Sequence, residues 1–129
     1  KSNRYKIKSL FNNRKTYQNK TLELINNCSC VIATKSTALS FAVLLSKPII
    51  FITFDDVIGN ELGNGIENQS SLLGKRAINI DRNFLINKKE FTFINKKKYK
   101  YYKNNFIKYP GTEKIKSWQI FLNKIDLNI

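Results

Sequence analysis

The chain has 129 residues, the size of one domain with enough material to bury a core without disulfide or metal staples. Lys and Arg outnumber Asp and Glu by 23 to 9, for a formal net charge of +14, and histidine is absent. The charge suits a nucleic acid, an anionic membrane face or a phosphorylated ligand, while the missing histidine excludes Ser-His and Cys-His nucleophile pairs within this chain.

Cys28 and Cys30, the only two cysteines, fall short of a tetrahedral zinc site in a chain without histidine, so neither metal nor cofactor is expected. They read as small core hydrophobes in a reducing compartment. The chain opens on Lys1 with no charged n-region and apolar h-region behind it, so the expected location is cytoplasmic, and the sequence reads as a piece of something longer.

In chain order, residues 16–27 place Tyr17, Leu22, Leu24 and Ile25 among polar residues and predict an amphipathic helix. Residues 30–33 form a short run suited to a buried strand. The run breaks at Thr34-Lys35-Ser36-Thr37, where Ser36 can cap a helix built from Ala38, Leu39, Ala42 and Val43. Pro48 ends that helix because the residue before a proline resists the α conformation, and residues 49–54 read as a second apolar strand. Residues 38–54 approach the length of a membrane span, but Ser46, Lys47 and Pro48 in the middle argue for two buried elements instead. Strand, helix, strand is a βαβ unit with parallel, adjacent strands.

Gly59, Gly63 and Gly65 among Asn and acidic residues predict a loop over 55–65, followed by a short helix over 66–73 ending at Gly74 and a third strand over 77–80. Residues 95–109 are lysine-rich, yet Tyr99, Tyr102 and Phe106 share one helical face. After the Pro110-Gly111 turn, Thr112 caps a last predicted helix with Trp118, Phe121, Leu122 and Ile125 in a stripe. The whole, residues 1–129, reads as one α/β domain with residues 95–129 as a helical extension of it.

In open α/β sheets, ligands bind beyond the carboxyl ends of the strands, which is where residues 34–37 fall. Unpaired amides at a helix start favour a phosphate, Ser36 and Thr37 add hydroxyls, and Lys35 adds a charge. The same residues would equally serve as an ordinary cap with Lys35 in water. No glycine fingerprint of the Walker or dinucleotide kind is present.

The stretch LINNCSCVIATKSTALSFAVLLSKPIIFITFD, Leu24 to Asp55, resembles the carboxy-terminal half of bacterial surface-carbohydrate biosynthesis proteins with GT-B glycosyltransferase architecture. It is similar to the capsule and lipopolysaccharide branch, and more distantly to polyol-phosphate transferases of teichoic-acid synthesis. The resemblance implies a Rossmann-like parallel sheet flanked by helices, half of a GT-B fold, that binds a nucleotide-activated sugar. It implies that Ser36, Thr37 and the backbone around Ala38 hold the donor phosphates, and that Asp55, Asp56 and Glu61 approach the ribose or sugar hydroxyls; Lys35, placed with the phosphates by its charge, departs from the polar or histidine residue usual at that position in the family. A second domain before Lys1 would carry the acceptor side and the catalytic base, with a saccharide or lipid-linked acceptor, and Trp118 and Phe121 would face that domain. A nucleotide-sugar 2-epimerase shares this architecture and is the alternative enzyme.

The non-enzymatic alternative is a nucleic-acid-binding module, with Lys96, Lys97, Lys98, Lys100 and Lys103 on phosphates and Tyr99, Tyr101 and Tyr102 stacking on bases. The same basic segment is also expected to suit peripheral contact with the anionic inner face of the plasma membrane.

Overall fold

The computed structural model describes residues 14–82, 85–108 and 110–111. Three parallel strands, β1 (Val31–Ala33), β2 (Ile49–Thr53) and β3 (Ile78–Asn79), stand in the order β1-β2-β3. Val31, Ile32 and Ala33 pair with Ile49, Ile50 and Phe51, and Ile52 and Thr53 pair with Ile78 and Asn79. This is the α/β arrangement expected, a small parallel sheet with helices against it.

Helix α1 (Thr21–Asn27) is shorter than the predicted 16–27, because Asn19 adopts φ +58°, a left-handed conformation that no continuous helix passes through. The first strand begins at Val31, whose N–H donates to the Pro48 carbonyl at 2.9 Å and opens the ladder to β2. The apolar run that follows is divided between helix α2 (Leu39–Leu44) and β2, and among the described residues no helix is long and apolar enough to cross a membrane.

Helix α2 ends before Pro48 acts. Ser46 takes φ +51°, its N–H donates to the Val43 carbonyl, and the Lys47 N–H donates to the Ala42 carbonyl at 2.8 Å. That is the paired reverse bonding of a Schellman cap, with serine where glycine is usual. Helix α3 (Glu61–Leu72) closes in the same way with Gly74 at φ +69°.

The largest departure from expectation is over residues 55–65. A single 3-10 turn (Asp55–Val57) is followed by α3, which starts at Glu61 with Asn60 Oδ1 accepting the Gly63 N–H at 3.1 Å. Gly63 and Gly65 are helical, and what they supply is close approach. A Cβ on Gly63 would stand 2.9 Å from the Val57 carbonyl carbon and closer still to its oxygen. A Cβ on Gly65 would stand 2.5 Å from Lys35 Cδ.

The core lies between the sheet and α2, α3 and α4 (Lys96–Tyr102). Phe51 and Ile49 on one face of β2 meet Leu39, Ala42, Ile66 and Leu73, all nearly or fully buried. Asn95 caps α4 by accepting the Lys98 N–H, and Tyr99 and Tyr102 point into this core. The Tyr99 hydroxyl donates to the Lys47 carbonyl at 2.9 Å. Phe106 does not continue their face: residues 103–107 form a π turn, whose wider winding rotates Phe106 outward to 55% exposure, stacked 5.1 Å from the Tyr102 ring. Lys75 is 4% exposed in its side chain, pairs with Glu90 at 2.8 Å and lies 4.6 Å from the Phe93 ring centroid, tying the 3-10 segment Lys88–Phe91 to the body. The predicted last helix, with Trp118, Phe121, Leu122 and Ile125, lies outside the described residues.

Candidate functional site

Because the strands are parallel, their carboxyl ends share one edge, and the chain leaves it at residues 34–38, 54–57 and 80–82. The first of these is held from across the fold by Gln69 on α3. The Ser36 N–H donates to Gln69 Oε1 at 3.1 Å, and Gln69 Nε2 donates back to the Ser36 carbonyl at 3.0 Å. One side-chain amide thus pairs with the backbone of residue 36 as a neighbouring strand would. Gln69 Nε2 also lies 3.5 Å from the Tyr102 hydroxyl, which connects the turn to α4.

Ser36 is not the cap of α2. Its Oγ accepts the Ala38 N–H at 3.2 Å, and tight turns from Ser36 and Thr37 lead into a regular helix of only 6 residues whose N-cap is Ala38 without a side-chain bond. Two of the amides expected to face a ligand, those of Ser36 and Ala38, are therefore engaged internally. The Lys35 and Thr37 amides, the Thr37 hydroxyl and the Lys35 ammonium have no hydrogen-bond partner among the described residues. The cationic and hydroxyl groups, rather than a helix dipole, are what this turn presents.

Lys35 runs along α3 over Gly65, where the missing Cβ leaves room for its aliphatic stem. With Asn60, Glu61 and Leu62 it lines a surface depression of about 390 Å³. Lys35 and Glu61, predicted as members of two different groups, thus face one space at the carboxyl edge. The remaining two acidic residues are elsewhere. Asp55 Oδ1 accepts from Asn79 Nδ2 at 2.7 Å and from Arg82 Nε at 3.2 Å, and the Asp55 N–H donates to Asp81 Oδ2 at 2.8 Å. Its carboxylate is a stitch between the ends of β2 and β3. Asp56 is exposed and does not line the depression.

The cysteines do not form a reactive pair. Burial, and secondarily the neighbouring Cys28, push the Cys30 thiol up from its ordinary range, and Cys28 Sγ donates to the Ile25 carbonyl at 3.3 Å. Among the described residues no group of three or more Cys, Asp or Glu side chains is arranged to hold a metal ion. In the basic segment, Tyr99 and Tyr102 are committed to the core at 5% and 8% exposure, leaving Tyr101 as the one exposed ring of the three proposed for base stacking.

Gln69 and Gly65 are the site residues that sequence reasoning missed. Gln69 lies 33 positions from Ser36, and an amide in the middle of a polar helix face carries no local mark. No family model, curated protein or solved structure matches the chain.

Proposed function

We propose that the carboxyl edge of the sheet binds the phosphates of a nucleotide-activated sugar, and that the chain is the donor-binding portion of a GT-B-type glycosyltransferase of bacterial surface-polysaccharide synthesis. The observation that carries the reading is the convergence of Lys35 and Glu61 on one depression beside a turn clamped by Gln69, at the end of a parallel sheet where α/β folds bind ligands.

In this reading Lys35 and Thr37 contact the donor phosphates and stabilise the charge that develops on the leaving group, while Ser36 shapes the turn. Glu61 accepts from a ribose or sugar hydroxyl. Asp55 keeps the adjoining loops in place rather than touching the donor. The general base and the acceptor site belong to a second domain, which the two-domain chemistry requires.

Calorimetric titration of the protein with CMP-, CDP- and UDP-linked sugars tests the reading. One of the three is expected to bind, and Lys35→Ala combined with Thr37→Ala should weaken it by at least tenfold. Equal affinity for wild type and the double variant would remove the turn from the mechanism, and no binding of any of the three would remove the function.

A further inference from the structure

At the opposite end of β2 from the candidate donor site, a groove of about 440 Å³ runs between the end of α2 and the outer side of α4. Val43, Leu44 and Ile94 supply its apolar wall, and Lys96, Lys100 and Lys103 supply its rim. The lysines recur at spacings of four and three, so they form one stripe along about two helical turns. None of the three takes part in the ion pairs found among the described residues, and no acidic side chain lines the groove. Three positive charges without an acidic partner among the described residues therefore flank an apolar wall.

The surroundings narrow the occupant. On α2, Phe41 and Leu44 are one turn apart and 41% and 47% exposed, forming an apolar ridge that ends at the groove. A phosphodiester backbone has no use for such a ridge, and of the three rings expected to stack on bases Tyr99 and Tyr102 are buried beneath the stripe, which leaves Tyr101 alone exposed. The cations are all lysine, flexible point charges whose stems lie along apolar surface while the ammonium stays wet, rather than arginine forks fitted to one defined carboxylate. A stripe of lysines beside exposed Leu and Phe is the pattern of a surface resting at a bilayer interface.

We infer that the face formed by Phe41 and Leu44 of α2, by Lys96 and Lys100 of α4 and by Lys103 just past its end docks on an anionic phospholipid surface. The lysines engage lipid phosphates, and the two apolar side chains enter the boundary between headgroups and acyl chains. The docking face and the candidate donor site lie at opposite ends of β2, so donor binding and membrane docking can fail independently.

The test is co-sedimentation of the full chain with phosphatidylcholine vesicles, with and without about 30% phosphatidylglycerol. Binding is expected only to the anionic vesicles and should fall steeply with salt. At roughly fivefold per lysine, Lys96→Gln/Lys100→Gln/Lys103→Gln should bind about a hundredfold more weakly, whereas Lys15→Gln/Lys88→Gln/Lys89→Gln, with the same net charge, should lose tenfold or less. Leu44→Ser keeps every charge and should weaken binding severalfold. Equal losses in the two triple variants would reduce the effect to net charge and overturn the assignment. So would no loss with Leu44→Ser, no vesicle binding by the wild type, or binding of an acidic peptide or oligonucleotide in preference to vesicles.

Discussion

Two glycines two positions apart on α3 give opposite expectations for the same substitution. Alanine in place of glycine inside a helix gains about 0.5–1 kcal/mol from propensity alone, so both Gly63→Ala and Gly65→Ala begin with that credit. At Gly63 the new methyl group would lie 2.9 Å from the carbonyl carbon of Val57 and nearer to its oxygen, and that oxygen already accepts the Asn60 N–H at 3.2 Å. The obstacle is backbone, so the turn at Asp55–Val57 and the start of α3 must separate. Overpacking costs about 1–3 kcal/mol, and against rigid backbone the upper part of that range, about 2–3 kcal/mol, applies, leaving a net loss of about 1–2 kcal/mol. At Gly65 the methyl group meets only the Lys35 side chain, with Cδ at 2.5 Å and Nζ at 2.9 Å. A lysine end rotates away at small cost, so Gly65→Ala should be neutral or more stable by about 0.5 kcal/mol. Urea unfolding followed by circular dichroism should show the two midpoints moving apart at constant m-value. Equal midpoints would refute the claim that Gly63 is there for close approach to Val57. Donor affinity provides a second readout: Gly65→Ala should weaken it by displacing Lys35, although the protein is no less stable.

Other consequences follow from individual side chains. Replacing Gln69 with alanine should cost about 1–2 kcal/mol and reduce donor affinity more than Ser36→Ala, because both backbone groups of residue 36 lose their partner; unfolding midpoints and calorimetry check this. Ser46→Gly should stabilise by about 1 kcal/mol, since φ +51° is strained for serine and relaxed for glycine, and thermal unfolding would register an upward shift. Glu90→Ala strands the Lys75 charge, only 4% exposed, and should cost about 2 kcal/mol in urea, more than Lys75→Met, which removes the charge with the pair. Burial pushes the Tyr99 hydroxyl up from 10.0 to about 12, against a smaller lowering by the backbone at Ile49. The folded protein thus keeps this proton longer than the unfolded chain, and the contribution is complete below the unfolded value and lost as pH rises from 10 toward 12. Two units correspond to about 3 kcal/mol, so wild type should lose more stability over that window than Tyr99→Phe, whose profile lacks this titration.

The parts of the fold readable in the sequence are those whose cause is local. Val31–Ala33 and Ile49–Thr53 announce themselves as apolar runs, and the polar break and Lys47-Pro48 divide them, so strand, helix and parallel strand follow from neighbouring residues. Gly74 was legible as a helix stop for the same reason, since its left-handed φ serves a bond only a few residues away. Residues 55–65 misled because glycine has two uses that composition does not separate. A loop glycine is chosen for its φ, whereas Gly63 and Gly65 have helical backbone and are chosen for what stands opposite, Val57 and Lys35. Asn60, which caps the helix they occupy, stands among glycines and other asparagines, where an Asn suits a loop as well as a helix start.

The same distinction runs through the candidate site. The position of the turn at 34–37 could be read from the pattern, because a polar break after an apolar strand needs only its neighbours to be explained, although β1 is an edge strand with Ile32 half exposed rather than the buried strand expected. Which of its groups remain open to a ligand could not, because that depends on Gln69, whose side chain satisfies Ser36 from the far side of the sheet connection. A helix-start reading assigns the ligand to the first amides of α2. With Ser36 and Ala38 already bonded, the open groups shift to Lys35 and Thr37, and the space that Lys35 faces includes Glu61 of α3 instead of the axis of α2. Which groups the turn leaves open is therefore decided by α3, whose first residues, 61–65, the sequence places as a loop, and a variant of Gln69 or Gly65 probes it more directly than one of Ser36.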